Sequence, residues 1–154
     1  LCEFFLLLKN SVEFVEVIRQ LSAISNYVFA YAIFAFLVTL IREILKDIQD
    51  MKGDITTGYR TLPIVWGMKA ARAVSAVLIL LMVALLAGAQ WHLYEHGMML
   101  PFWYLLVAVQ SILLYLFYLV LRSSDSESFG LPGNMAKLIM VAGILSMELI
   151  YISI

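Results

Sequence analysis

Four long apolar stretches constrain this chain more than any other feature. They run from about Leu21 to Ile41, Ala73 to Gln90, Met98 to Leu121 and Leu138 to Ile154. The second and third carry no charge, and the fourth is interrupted only by Glu148. About 20 apolar residues cross a hydrocarbon core. Within lipid the backbone must satisfy its own hydrogen bonds, so each stretch reads as a helix. Composition agrees: 64% of the 154 residues are hydrophobic and 14% charged, with a mean hydropathy of +0.97, outside the soluble range. The fold class is therefore all-α, a polytopic transmembrane helix bundle. Helices are expected at about 21–49, 64–92, 98–121 and 134–154. Residues 1–20 mix short apolar runs with Glu3, Lys9, Glu13, Glu16 and Arg19, and read as a partial helix with an interfacial segment.

Loop charges orient the bundle. Arg42, Lys46, Lys52, Arg60, Lys69 and Arg72 flank the first connection, and Arg122 and Lys137 flank the third. The second connection, WHLYEHGM, has no Lys or Arg. The positive-inside rule then faces the first and third loops to the cytoplasm. Trp91, Tyr94, Trp103 and Tyr104 gather at the other side as an aromatic belt would. The third loop, RSSDSESFGLPGN, is a polar, turn-rich linker. An integral protein of a bacterial or archaeal cytoplasmic membrane, with lipid as its surroundings, is the expectation.

Several functions are disfavoured at once. With a net charge of −1 and no basic stripe interleaved with aromatics, no nucleic-acid partner is indicated. Cys2 is the sole cysteine, so neither an internal disulfide nor a cysteine metal cluster can form. The N-terminus does not read as a signal peptide: Glu3 comes early and a basic n-region is missing. A chain starting at Leu1 is expected to be the tail of something longer.

The informative segment is LIREILKDIQDMKGD, residues 40–54, with four acids and three bases in fifteen positions. Glu43, Asp47, Asp50 and Asp54 are spaced by 4, 3 and 4. On an α-helix that places them within an arc of roughly 60°. Gly53 is expected to fray or end the helix and leave Asp54 on the loop. Like charges at this spacing repel, so the face calls for a cation. Carboxylates without His or Cys beside them suit Mg²⁺, which prefers a few carboxylates plus phosphate oxygens of a substrate. The plainer reading is a solvated helix end, its acids neutralised by Arg42, Lys46 and Lys52. Against it stand the regular spacing, the closeness to the membrane and the segment that follows. GDITTGYRTLPIVWG, residues 53–67, offers Gly53 and Gly58 for a tight turn and Arg60 as a fork-shaped phosphate partner. Pro63 marks the first turn of a new helix with Thr61 as a cap, and a helix start favours an anion.

REILKDIQDMKGDITTGYRTLPIVWG, residues 42–67, resembles the second acidic signature of the UbiA superfamily of intramembrane prenyltransferases. It is closest to the geranylgeranylglycerol-phosphate geranylgeranyltransferase branch, with its R-E-I-x-K-D-x-x-D-x-x-G-D and following T-L-P. KLIMVAGILSM, residues 137–147, is similar to the family's C-terminal helix. The resemblance implies a bundle of nine membrane helices around a cavity open to lipid, of which this chain supplies about four to five. It implies Mg²⁺-dependent transfer of a prenyl group from an isoprenyl diphosphate donor to a lipid glycerol phosphate or an aromatic acceptor such as a quinone precursor. Asp50 and Asp54 would hold Mg²⁺ on the diphosphate, with Asp47 and Glu43 as further acceptors. Arg60 and Lys52 would neutralise the departing diphosphate. The family's first signature, Asn-Asp-x-x-Asp, does not occur here. It is expected on a missing N-terminal half, without which the chain would be inactive.

Two rivals differ in kind. A CDP-alcohol phosphotransferase also uses membrane aspartates, but wants Asp-Gly-x-x-Ala-Arg ahead of them, and here the AAR of residues 70–72 follows. A divalent-cation transporter fragment needs acids deep in a pore, and only Glu148 lies clearly that deep. Glu148 is as consistent with an interface as with a site. His92 and His96, with Glu95 between them, read as interfacial polarity, and Tyr59 and Trp66 as either cavity mouth or interfacial anchors.

Overall fold

The computed structural model describes the backbone of residues 2–123 and 125–153, and the side chains of residues 15, 25–123, 125, 126, 128–150 and 152. The elements are α1 (Cys2–Thr57), a short α2 (Leu62–Trp66), α3 (Met68–Glu95), α4 (Met99–Tyr104), a π-helical turn (Leu105–Gln110), α5 (Ser111–Arg122), a 3-10 turn (Ser126–Phe129) and α6 (Gly130–Ser153). Four stretches are long and apolar enough to cross a membrane: Ser25–Thr57, Met68–Glu95, Met99–Arg122 and Gly130–Ile150. They correspond one to one with the four apolar runs of the sequence.

The chain divides into two units, Leu1–Phe34 and Ala35–Ile154. The first is helical backbone, and the interfacial placement expected for residues 1–20 rests on side chains outside the described ones. The second holds the core. Its buried positions recur every three or four residues. In α3 they are Ala71, Ser75, Ile79, Met82, Leu86, Gln90 and Leu93; across the π-turn and α5 they are Leu105, Val109, Leu113, Leu116 and Val120. From the 3-10 turn through α6, Phe129, Pro132, Ala136, Ile139, Gly143, Ser146 and Ile150 continue the pattern. A period near 3.5 is that of seams that pack at shallow crossing angles. α3 packs on α5, and α6 packs on both α4 and α5. Within lipid, close packing and polar cross-links hold helices together rather than water exclusion. Arg72 Nη1 donates to the Ser123 carbonyl at 2.7 Å, and Tyr104 Oη to the Ala142 carbonyl at 3.1 Å.

The α3–α4 connection closes tightly. Met98 N–H donates to the Leu93 carbonyl and Gly97 N–H to that of Tyr94, both at 3.0 Å, with Gly97 at φ +72°. This paired pattern is a Schellman stop. Trp91, Tyr94 and Trp103 stay exposed around it, and the Phe102 ring meets Tyr94 tilted and Trp103 edge-to-face, at centroid distances of 5.8 and 5.5 Å.

Three helices differ in their bounds from the sequence reading. The first, expected at 21–49, is continuous backbone helix from Cys2 to Thr57. The helix expected at 64–92 is split by Gly67 (φ +85°) into α2 and α3. α6 starts at Gly130, a turn ahead of the expected 134, because Pro132 is compatible with a first turn and Phe129, fully buried, anchors its entry.

Candidate functional site

The end of α1 is organised by three faces. Leu37, Val38, Ile41, Ile44, Leu45 and Ile48 are buried. Glu43, Asp47, Asp50 and Asp54 project from the opposite side, centred roughly 150° away at 100° per residue. Between them runs Arg42, Lys46 and Gln49. The core thus fixes the helix rotation, and the rotation presents the acids outward. Glu43 and Asp50 are exposed, while Asp47 and Asp54 are half-buried.

Asp54 lies within α1, not on the loop. The helix passes through Gly53 and stops one turn later, at Thr57. Thr56 Oγ1 donates to the Gly53 carbonyl at 2.6 Å, and Thr57 Oγ1 to those of Gly53 and Asp54 at 3.2 Å each. These hydroxyls satisfy carbonyls that a helix end leaves open. Gly58, at φ +78°, makes the stop, and Tyr59 N–H donates back to the Asp54 carbonyl at 3.1 Å. A left-handed residue followed by this bond is where glycine is favoured. Arg60 follows the turn, exposed.

The second anion feature is weaker than the sequence suggests. Pro63 does sit in the first turn of α2, and Thr61 holds the N-cap position, but its hydroxyl makes no cap hydrogen bond and is left without a partner. Its carbonyl instead accepts from Ile64 and Val65 N–H, both at 3.0 Å. With only five residues, α2 has too few aligned peptides for a sizeable dipole.

Asp47 carries the electrostatic record of the acid face. It lies past Ile41, beyond the apolar run. Its carboxyl is pushed above the ordinary value, first by burial, then by Asp54 and Glu43, with Asp50 adding less and Lys46 opposing. Arg42 Nη1 donates to Glu43 Oε1. Among the described residues, no three His, Cys, Asp or Glu side chains converge as a ready metal cage. The acids form an open row instead. That arrangement suits a cation held by one or two carboxylates and completed by substrate oxygens, as Mg²⁺ is.

Gln49, Asn134 and Lys137 carry geometry that sequence reasoning missed. A pocket of about 290 Å³ opens between α1 and α6, lined by Arg42, Lys46, Gln49 and Asp50 from one side and Gly130, Gly133, Asn134 and Lys137 from the other. The 130, 133, 137 spacing marks one face of a helix, but nothing in the sequence says which helix it meets. Glu148 lies on an exposed face of α6, about three turns beyond Lys137, the last residue lining this pocket. His92 and His96 are also exposed. Their rings are 4.1 Å apart, and His96 Nδ1 lies 2.9 Å from the His92 carbonyl oxygen.

Comparison with known proteins adds to the geometry. The model of the UbiA prenyltransferase family matches residues 13–138. A digeranylgeranylglyceryl phosphate synthase of Thermococcus onnurineus is 41% identical over 96 residues, covering 62% of this chain and 33% of that protein. Its namesake in Thermococcus kodakarensis is 39% identical over 97 residues, 63% of this chain and 33% of the relative. One from Methanosphaera stadtmanae is 31% identical over 121 residues, 79% of this chain and 43% of the relative. The chain therefore matches about a third to two fifths of the length of these relatives. No solved structure gives a significant match.

Proposed function

The chain belongs to the UbiA prenyltransferase family, and from that premise we propose that it supplies the second acidic half of a membrane prenyltransferase site. The reaction is transfer of a prenyl group from an isoprenyl diphosphate to an acceptor. The relatives' name, digeranylgeranylglyceryl phosphate synthase, favours a lipid glycerol phosphate over an aromatic acceptor, and a geranylgeranyl donor. The carrying observation is the acid row of α1, which lies opposite the buried stripe and is followed by a sharp turn and Arg60.

Asp50 and Asp54 are the residues that would hold Mg²⁺, with Asp47 and Glu43 beside them. The fit is supported by Asp47, whose carboxyl is pushed up first by burial and then by Asp54 and Glu43, a repulsion that a bound cation would relieve. Bound there, the ion would neutralise charge on the diphosphate oxygens as they leave. Arg60 and Lys52 are assigned to the same developing charge, where fixed cations lower a barrier most. The membrane helices exclude water from the allylic carbon while it gains cation character, so that the acceptor oxygen captures it. A segment outside this chain carries the first acidic signature in this proposal. The bases around the first connection favour a cytoplasmic acid face.

The test uses the protein as its gene encodes it, in detergent with Mg²⁺, labelled geranylgeranyl diphosphate and geranylgeranylglyceryl phosphate. Asp50→Ala and Asp54→Ala should each abolish product while the thermal transition is retained. Activity surviving in either would sink the assignment.

A further inference from the structure

We propose that the pocket between α1 and α6 is a phosphate site distinct from the acid row, and that it takes the phosphate monoester of the acceptor. The proposal rests on the prenyltransferase reading for the identity of that acceptor, but the site itself rests on the pocket.

Three cationic side chains, Arg42, Lys46 and Lys137, converge on the pocket, against one carboxylate, Asp50. Among the described residues, neither Lys46 nor Lys137 makes an ion pair or a hydrogen bond. Arg42 commits Nη1 to Glu43, which leaves its other donors available. Like charges gathered in one cleft repel unless an anion sits among them. A phosphate monoester, with a charge of about −1.5 to −2 at neutral pH, matches an arginine fork and two lysine point charges.

The walls suit the same ligand. The Gln49 carboxamide lies over α6: a Cβ built on Gly130 would stand 3.5 Å from Nε2, and one on Gly133 would stand 3.8 Å from Oε1. Glycines at both positions keep that wall low, with Asn134 adding a second amide on the rim. One carboxylate among three cations is a poor cation site, so this pocket does not duplicate the acid row.

The two rows also diverge. Arg42, Lys46 and Gln49 are centred roughly 110° around α1 from the acids, at 100° per residue. A diphosphate held against the acids lies about a third of a turn around α1 from Gln49. Only Asp50 borders both. The proposed reaction has two phosphate-bearing substrates, and α1 offers two differently charged faces for them.

The test is calorimetry of the full chain in nanodiscs of neutral phosphatidylcholine. Glycerol 1-phosphate and inorganic pyrophosphate are titrated, each in EDTA and in Mg²⁺. Glycerol 1-phosphate should bind in EDTA. Lys46→Gln and Lys137→Gln should each weaken it about tenfold, the loss of one charge-assisted contact. Lys137→Arg should restore most of the affinity, which a variant that fails to fold cannot do. Asp54→Asn should leave glycerol 1-phosphate binding unchanged while removing the Mg²⁺-dependent binding of pyrophosphate. No binding of glycerol 1-phosphate to the wild-type chain, or equal binding by Lys137→Gln, overturns the pocket and leaves the acid-row reading standing. Pyrophosphate binding in EDTA that needs Lys137, without glycerol 1-phosphate binding, assigns the pocket to the leaving group and overturns the acceptor assignment. Loss of pyrophosphate binding alone counts against the acid row, not against the pocket.

Discussion

Neutralising Asp47 should stabilise the protein without metal and remove part of its response to metal. Asp47 faces Glu43 one turn back, Asp50 one turn ahead and Asp54 two turns ahead, and it is half-buried. Repulsion along a helix face costs about 0.2–0.5 kcal/mol per pair. Asp47→Asn relieves three such pairs and loses one attraction, to Lys46, so the net gain is about 0.4–1 kcal/mol. For a chain of this size that raises Tm by about 1–4 °C. The pH dependence has a fixed sign. The folded-state value of Asp47 is raised, so its protonated form is favoured by folding. That advantage is full below the unfolded carboxylate value and is lost as pH climbs through the raised one. Wild type and Asp47→Asn should therefore melt together in acid and separate towards neutral pH, the variant being the more stable. Tryptophan-monitored melting in EDTA reads this directly. With Mg²⁺ and pyrophosphate added, wild type should gain more than the variant, because the same repulsion is relieved by the cation. Asp47→Asn melting below wild type at neutral pH in EDTA, or equal Mg²⁺ gains in the two, would refute the reasoning.

Three other substitutions separate fold from site. Gly58→Ala forces a side chain into a left-handed conformation at φ +78°, costing about 1–2 kcal/mol; melting should fall, and Mg²⁺-dependent pyrophosphate affinity with it, because Arg60 follows that turn. Arg72→Gln breaks the 2.7 Å bond to the Ser123 carbonyl and should cost about 1.5–3 kcal/mol, measured as a Tm loss with pyrophosphate affinity kept. Gln110→Leu removes a buried Oε1 that has no partner and should raise stability by about 1 kcal/mol, again read by melting.

The helical spans were legible because lipid leaves the backbone no alternative, so length and apolarity alone place them. The acid row was legible for a similar reason: spacings of 4, 3 and 4 share a face in any α-helix. The stop at Gly58 was less so. Gly53 is as plausible a terminator by propensity, and the choice is made by Thr56 and Thr57 bonding back to its carbonyl, a local competition the spacing does not encode. The split at Gly67 likewise depends on a backbone angle. Least legible was the α1–α6 pocket, whose walls are some 80 residues apart in sequence. Arg42 and Lys46 were visible as loop charges that orient the bundle and as neutralisers of the acids beside them, not as one wall of a pocket.

That reading of the bases is incomplete rather than wrong. Arg42 does bond Glu43, and Lys46 does lower the acidic field at Asp47. Yet both line the pocket together with Lys137. One residue of offset on a helix turns a side chain by about 100°, enough for interleaved acids and bases to serve separate faces. The buried stripe from Leu37 to Ile48 locks that rotation. Rolling α1 by one position would push the acids toward α6 in one sense or toward the core in the other, and would expose apolar residues at the same time. The core therefore guards the placement of charge on this helix, and a substitution such as Ile48→Asp should cost both stability and phosphate binding, since packing and charge placement share one rotation.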